Sequence, residues 1–118
     1  MPPLRDKQTY MWDALDVVHA IQNATKQLTL ATYLDNRMLR SAVEREFEII
    51  GEALKLAAQY FPEIRDEITD FSKIVGFRNR LAHAYFATDH KLVWNIIKVF
   101  LPRLEQDLRQ LVDVSNED

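Results

Sequence analysis

The sequence predicts an all-α fold: a bundle of four main helices with a short helical turn connecting two of them. Three observations lead there. Gly occurs 2 times and Pro 4 times in 118 residues, so the turn signals that β-hairpins need are scarce. Apolar residues recur at three- and four-residue steps through most of the chain, the period of a helix face. Hydrophobic residues make up 47% and charged residues 28%, the mixture of an ordinary globular chain. The length suits one domain over residues 1–118.

The elements follow in order. Residues 1–4 read as a loose terminus. A first helix is expected from about Arg5 to Thr25, with Met11, Leu15, Val18 and Ile21 on one face and Tyr10 and Trp12 widening it. His19 follows Asp16 by one turn. A bundle metal site of the Glu-x-x-His kind needs paired copies, and the chain has a single Asp-x-x-His, so His19 is expected to be structural. Lys26–Leu34 reads as a connection with at most a turn of helix. Asp35 or Asn36 then caps a second helix, about Asn36 to Tyr60. Val43, Phe47, Ile50, Leu54, Ala57 and Phe61 form one row of it, and Ile49, Ala53, Leu56 and Tyr60 a second beside the first. So wide an apolar face needs covering by the bundle or by a second subunit.

Gly51 sits inside that helix, where Gly costs about 1 kcal/mol relative to Ala. Close approach of another helix would account for it. Most of Glu44, Arg45, Glu46, Glu48 and Glu52 belong in solvent, with Glu48 or Glu52 able to reach a cleft. Pro62 ends the helix. Glu63–Asp70 is a short turn anchored by Ile64 and Ile68. Asp70 or Ser72 caps a third helix, about Phe71 to Phe86, and Thr88 and Asp89 break and recap the chain. A fourth helix runs from about His90 to Val112 with Val93, Ile97, Phe100, Leu104, Leu108 and Leu111 inward. Pro102 should kink it near Lys98, because the ring clashes one turn back. Asp113–Asp118 reads as a frayed tail.

Composition narrows the function classes. There is no Cys, which excludes disulfides and thiol chemistry and fits a reducing cytoplasm. No leader-like start and no apolar run of membrane-spanning length is visible, so a soluble cytoplasmic protein without membrane contact is expected. The net charge of -3 and pI near 5.6 argue against coating nucleic acid through bulk charge. They leave room for a local basic cleft built from Lys73, Arg78 and Arg80 of two copies.

Chemistry concentrates in Gly76–Tyr85, GFRNRLAHAY. On a helical wheel Ile74, Phe77, Leu81, Ala84 and Tyr85 share one side, extended by Phe71, Val75 and Ala82. Ser72, Asn79, Arg80 and His83 form a polar wedge opposite. Asn79 and His83, at i and i+4, are placed to hydrogen-bond and fix the imidazole tautomer. Arg78 falls on the apolar side, in line with Tyr85. A buried Arg is costly unless paired, so it must meet a carboxylate, reach a cleft or lie at a subunit boundary. Arg78 and His83 point roughly 140° apart on a straight helix. Aiming both at one atom requires a long reach, an irregular helix or a second copy across a dimer axis. Two readings are open on chemistry alone. The Arg, Asn and His are either a network locking the bundle or the parts of a ribonuclease. In the latter, His83 exchanges protons with the ribose 2′-OH or the leaving 5′-oxygen, and Arg78 clamps the phosphate without a metal.

The spacing Arg78-x4-His83-x-Tyr85, with Phe86 and Asp89 after it, resembles the signature of HEPN-domain proteins, and of HepT-like toxins in particular. Ala42–Ala57, with Ile49-Ile50-Gly51-Glu52 at its centre, resembles the family's second helix. Val93-Trp94 and Leu101-Pro102 resemble the opening and the Leu-Pro of its last helix. The resemblance implies a HEPN-type bundle that dimerises, with paired motifs lining a basic cleft. It implies a metal-independent endoribonuclease toxin of a HepT/MntA toxin–antitoxin pair, using no cofactor. Arg78 and His83 would be catalytic, Asn79 supporting, and Lys73 and Arg80 phosphate or RNA contacts. Tyr85 would accept AMP from an MntA-like minimal nucleotidyltransferase that silences the toxin. A non-catalytic module that binds the nucleotidyltransferase or a nucleotide is the alternative.

Overall fold

Each predicted helix is present, and most of their first turns are closed by caps that the sequence contains. The computed structural model describes residues 5–83 and 88–115, the last three of these by backbone alone. Among them run helices α1 (Lys7–Thr25), α2 (Leu30–Leu34), α3 (Arg37–Tyr60), α4 (Ile64–Glu67), α5 (Phe71–Ala82), α6 (His90–Asn95) and α7 (Leu101–Ser115). A π-helical turn, Ile96–Phe100, joins α6 to α7. No strand occurs among the described residues, and no helix there is long and apolar enough to cross a membrane.

Asp6, Asn36 and Asp89 each accept a backbone N–H three residues on, at 2.8, 3.0 and 3.1 Å, and so start α1, α3 and α6. Thr29 and Thr32 close a reciprocal box over α2. The start of α5 departs from expectation. Asp70 holds the N-cap position but makes no side-chain cap bond, because its φ of 60° places it in the left-handed region. The N–H of Thr69 is taken up by Asp107 of α7 at 2.9 Å. The C-terminal ends also differ. α5 stops at Ala82 with His83 as its C-cap, so its expected last turn falls on residues 84–87, outside the described ones. α7 stays helical through Ser115, beyond the point where fraying was expected.

α1 packs against α3 and α7, and α5 lies along α3. Met11, Leu15, Val18 and Ile21 of α1 meet Val43, Phe47, Ile50, Leu54 and Ala57 of α3 in one continuous core. Trp12 is a correction: it stands 44% exposed, because it lies on the flank of α1 away from α3 and α7. The second row of α3 is only partly covered, and Leu56 is exposed. α2 is anchored by Tyr33, fully buried and tilted against Trp94 at 5.2 Å. Burial, together with the charge of Glu44, pushes the Tyr33 hydroxyl up to about 12.

Pro102 disturbs its helix as expected, and the form of the disturbance rephases the core. A proline cannot donate one turn back and its ring crowds that carbonyl. The chain answers with a π turn, in which the N–H of Leu101 bonds the carbonyl of Ile96, five residues back. One extra residue in the turn moves the buried position there from Phe100 to Leu101, while Leu104 and Leu108 stay inward as expected. Val93, Ile97, Leu101, Leu104, Leu108 and Val112 are therefore the buried positions, whereas Phe100 is 43% exposed and Leu111 half-buried. The expected inward Phe100 and Leu111 are each one residue short of the true ones.

His19 proves structural. Its Nε2 lies 2.8 Å from Glu105 Oε2, tying α1 to α7, and Arg109 and Gln22 also bond this carboxylate. Burial pulls the Glu105 carboxyl upward, but the bonds from His19, Arg109 and Gln22 outweigh it and hold the group below its ordinary value. A carboxyl lowered in the fold contributes stability that is complete above the ordinary value of 4.5 and is lost as pH falls through the lowered one. The melting temperature should thus drop on acidification below about 4.5, and Glu105→Gln should flatten that drop. Thermal melts across this range check it. An unchanged acid slope in the variant would show that the network carries no pH dependence.

Candidate active site on the fifth helix

The site is built where α5 crosses the middle of α3. Nothing in α3 would tolerate the aliphatic stem of Arg78 except a residue without a side chain. A Cβ placed on Gly51 would come within 2.3 Å of Arg78 Cβ and 2.7 Å of its Cγ. Gly51 is buried and forms the seat on which the arginine lies. The next residue supplies the countercharge: Arg78 Nη2 donates to Glu52 Oε1 at 2.8 Å. On the other side Arg78 Nη1 donates to Asn79 Oδ1 at 3.0 Å. Arg78 Nε is buried without a partner among the described residues. Its bond to Glu52 is the main reason the Glu52 carboxyl sits below the usual range. Glu52 is well exposed, so this pair fixes direction more than it adds stability.

The expected arginine partner is therefore a carboxylate, and of the two candidates on α3 it is Glu52. Glu48 pairs with Arg45 at 3.2 Å. Asn79 differs from expectation: its side-chain oxygen serves Arg78 rather than the imidazole. His83 has left the helix as its C-cap, with φ -111° and ψ 8°, and is exposed. It makes no hydrogen bond among the described residues, so both ring nitrogens are open to a ligand. Arg78 faces α3 while His83 ends the helix, and no hydrogen bond joins them. Tyr85 and Phe86 lie outside the described residues. Lys73 is exposed and 3.9 Å from Asp70, and Arg80 is exposed one turn before His83. Among the described residues no cluster of three or more His, Asp or Glu could hold a metal ion.

On its other flank α5 is poorly covered. Phe71 is its only buried residue, and Ile74, Val75, Phe77 and Leu81 are half-buried. A groove of about 400 Å³ separates α5 from the π turn and the start of α7. Phe77, packed edge-on to Phe47 at 5.3 Å, forms part of its wall. Arg103 at its rim was not among the residues singled out from sequence. Only the gap between two distant segments reveals it.

A family model described as Ribonuclease HepT-like matches residues 14–111. The chain is 33% identical over 104 residues to "Putative RNase MJ1380" of Methanocaldococcus jannaschii, covering 88% of this chain and 94% of that one. It is 30% identical over 117 residues to "Putative RNase MJ1216" of the same organism, covering 98% and 96%. It is 29% identical over 107 residues to "Probable ribonuclease HepT" of Thermococcus cleftensis, covering 91% and 96%. No solved structure matches.

The seat of Arg78 gives a paired prediction. Gly51→Ala should destabilise the protein by about 1–3 kcal/mol, because overpacking against Arg78 outweighs the gain in helix propensity. Gly76, two residues before Arg78 and on the groove side of α5, has nothing within 4 Å of such a Cβ. Gly76→Ala should stabilise by roughly 0.5–1 kcal/mol. Denaturant melts of both variants check the contrast, and a Gly51→Ala protein as stable as the parent would refute the seat.

Proposed function

The chain belongs to the HepT-like ribonuclease family, and from that premise we propose that it is a metal-independent endoribonuclease working as a homodimer. The observation that carries the reading is the division of α5. Arg78 is held on Gly51 and Glu52, while His83 stands exposed at the helix end with no hydrogen-bond partner among the described residues. In the reaction the guanidinium clamps the scissile phosphate and stabilises charge on its oxygens. Neutral His83 takes the proton of the ribose 2′-OH. The 2′-oxygen attacks phosphorus, the bond to the 5′-oxygen breaks, and an imidazolium returns a proton to that oxygen. The products are a 2′,3′-cyclic phosphate and a free 5′-OH. Arg78 faces α3 while His83 caps the end of α5 and no hydrogen bond joins them, so a second copy supplies the complementary group across a two-fold axis. The half-covered row of Ile49, Ala53 and Leu56 on α3 offers apolar surface for that contact. Asn79 orients the arginine, and Lys73 and Arg80 add positive charge toward the RNA.

Digestion of RNA by purified protein in EDTA is the direct test. Cleavage should survive the chelator and fall about 10²-fold or more in Arg78→Ala and in His83→Ala. Mixing the two inactive variants should restore roughly a quarter of wild-type activity. Half the dimers are mixed, and each of these has one intact composite site. No recovery would place both groups of a site on one chain. Abolition by EDTA would end the metal-independent reading.

The regulatory part of the proposal concerns Tyr85. In a toxin–antitoxin pair, a minimal nucleotidyltransferase resembling MntA transfers AMP from ATP to the Tyr85 hydroxyl, releasing pyrophosphate. The new phosphodiester pairs with Arg78 and displaces substrate phosphate. Tyr85→Phe should remain a folded ribonuclease that escapes neutralisation on co-expression with the nucleotidyltransferase. Intact mass and a growth assay read this out. An AMP-sized mass gain on the Phe variant would place the modification elsewhere.

One observation favours a different reading. Arg78 already has a carboxylate partner, as it would in a bundle-locking ion pair. A non-catalytic module that binds the nucleotidyltransferase or a nucleotide then follows, and folded wild-type protein that leaves RNA uncut while still binding that partner would select it.

A further inference from the structure

We propose that the groove between α5 and the π turn is a single-stranded RNA subsite, taking an unstacked base on its apolar wall and phosphates on its rim. This rests on the ribonuclease reading and names where the substrate strand lies. The groove has the size of a ligand pocket, about 400 Å³ against the usual 300–1,000 Å³. Its wall is aromatic and aliphatic, with Phe77 half-buried and Phe100 43% exposed. Three cations, Lys73, Arg80 and Arg103, line it against one carboxylate, Asp70. In a chain of net charge -3 such a local excess of positive charge runs against the average. Aromatic faces for bases beside cations for the backbone are the two elements by which proteins hold single strands.

The groove also points toward the chemistry. A smaller depression adjoins it, sharing Phe77, Arg80 and Leu92 and adding Leu81, Thr88 and one carboxylate, Asp89. Arg80 is one helical turn from His83. A strand seated on Arg103 and Arg80 would therefore lie one helical turn from His83. The π turn makes this possible: it rotates Phe100 out of the core and onto the groove wall, and π turns are often found at functional sites. A docked apolar protein helix would fit the wall but would have no need of continuity with His83.

The test uses Phe100→Ser and Arg103→Glu, both at exposed positions, with circular dichroism melts to show that each folds. Binding of a fluorescein-labelled oligouridine and of an RNA duplex is followed by anisotropy in a His83→Ala background, so that the probe survives. The single strand should bind more tightly than the duplex. Phe100→Ser should weaken single-strand binding roughly fivefold or more. Arg103→Glu should weaken it and reduce the slope of log affinity against log salt by about 0.7 or more. With His83 present, both variants should raise KM more than they lower kcat. Unchanged affinity and KM in both variants, with wild-type cleavage intact, would overturn the subsite and leave the ribonuclease reading standing. Wild-type protein that neither binds nor cuts RNA would overturn both. Variants that bind RNA normally but lose the nucleotidyltransferase would make the groove a protein-docking surface and sink the proposal.

Discussion

An arginine set into the side of a bundle needs room for its stem and a countercharge for its head, and consecutive residues of α3 meet both needs. Gly51 gives Arg78 a place to lie, and Glu52 binds the guanidinium. The two do different work. A side chain at 51 would push α5 away from α3, and without the carboxylate a partly buried charge would stand uncompensated. The contact fixes where α5 crosses α3 and in which rotation, so it also fixes the direction of everything else on α5. With Arg78 turned to α3, Phe77 packs on Phe47 at the groove wall, Arg80 lines the groove, and His83 emerges at the helix end. The intrinsic cost of a glycine within a helix is accepted in return for that orientation.

A second constraint acts at the other wall. Pro102 forbids one α-helical hydrogen bond, and the chain restores a regular path with a π turn rather than a sharp bend. The added residue shifts the buried stripe from Phe100 to Leu101 and from Leu111 to Val112. Core packing is preserved because both members of each pair are apolar. What changes is the outer surface, where an aromatic ring now faces the space beside α5. Two backbone accommodations, a glycine in α3 and a wide turn before α7, thus shape the two flanks of one short helix.

Much of this was legible in the sequence, and the remainder divides by physical cause. Periodicity located the core of α1 and the main row of α3 residue by residue, because a helix face repeats whatever its neighbours do. The caps at Asn36 and Asp89 were legible because a short polar side chain at a helix start has one obvious use. That Arg78 requires a partner followed from the cost of burying charge, and Gly51 signalled a close approach. Which helix approached, and that Glu52 rather than Glu48 was the partner, depended on the crossing of α3 and α5, a distant contact. Proline predicted a disturbance near Lys98 but not its form: a bend keeps the helical phase, whereas a π turn adds a residue. Asp70 carried no sign of a left-handed conformation, since its residue type also suits an ordinary cap. The imidazole was assigned to Asn79 because i, i+4 spacing allows it, but a guanidinium on the adjacent residue is the better donor to an amide oxygen. The groove was invisible for a further reason: it is a space between elements, and no local pattern encodes a space.

The acidic balance of the chain and an RNA-directed site are compatible once range is considered. At physiological salt the field of a surface charge is screened within about 8 Å. A phosphate in the proposed subsite would therefore respond to Lys73, Arg80 and Arg103 and hardly to carboxylates on the far side of the bundle. Glu52, the nearest acid to Arg78, is already neutralised by it. The same screening limits indiscriminate attraction of nucleic acid, because net charge governs the approach at long distance and repels a polyanion there. A ribonuclease of this design would bind weakly along a duplex, whose bases are hidden, and more firmly where a strand is open and a base can reach the wall of the groove. Selectivity for unpaired RNA would then arise from the combination of an acidic whole and a basic, aromatic recess, without any residue that reads a base edge.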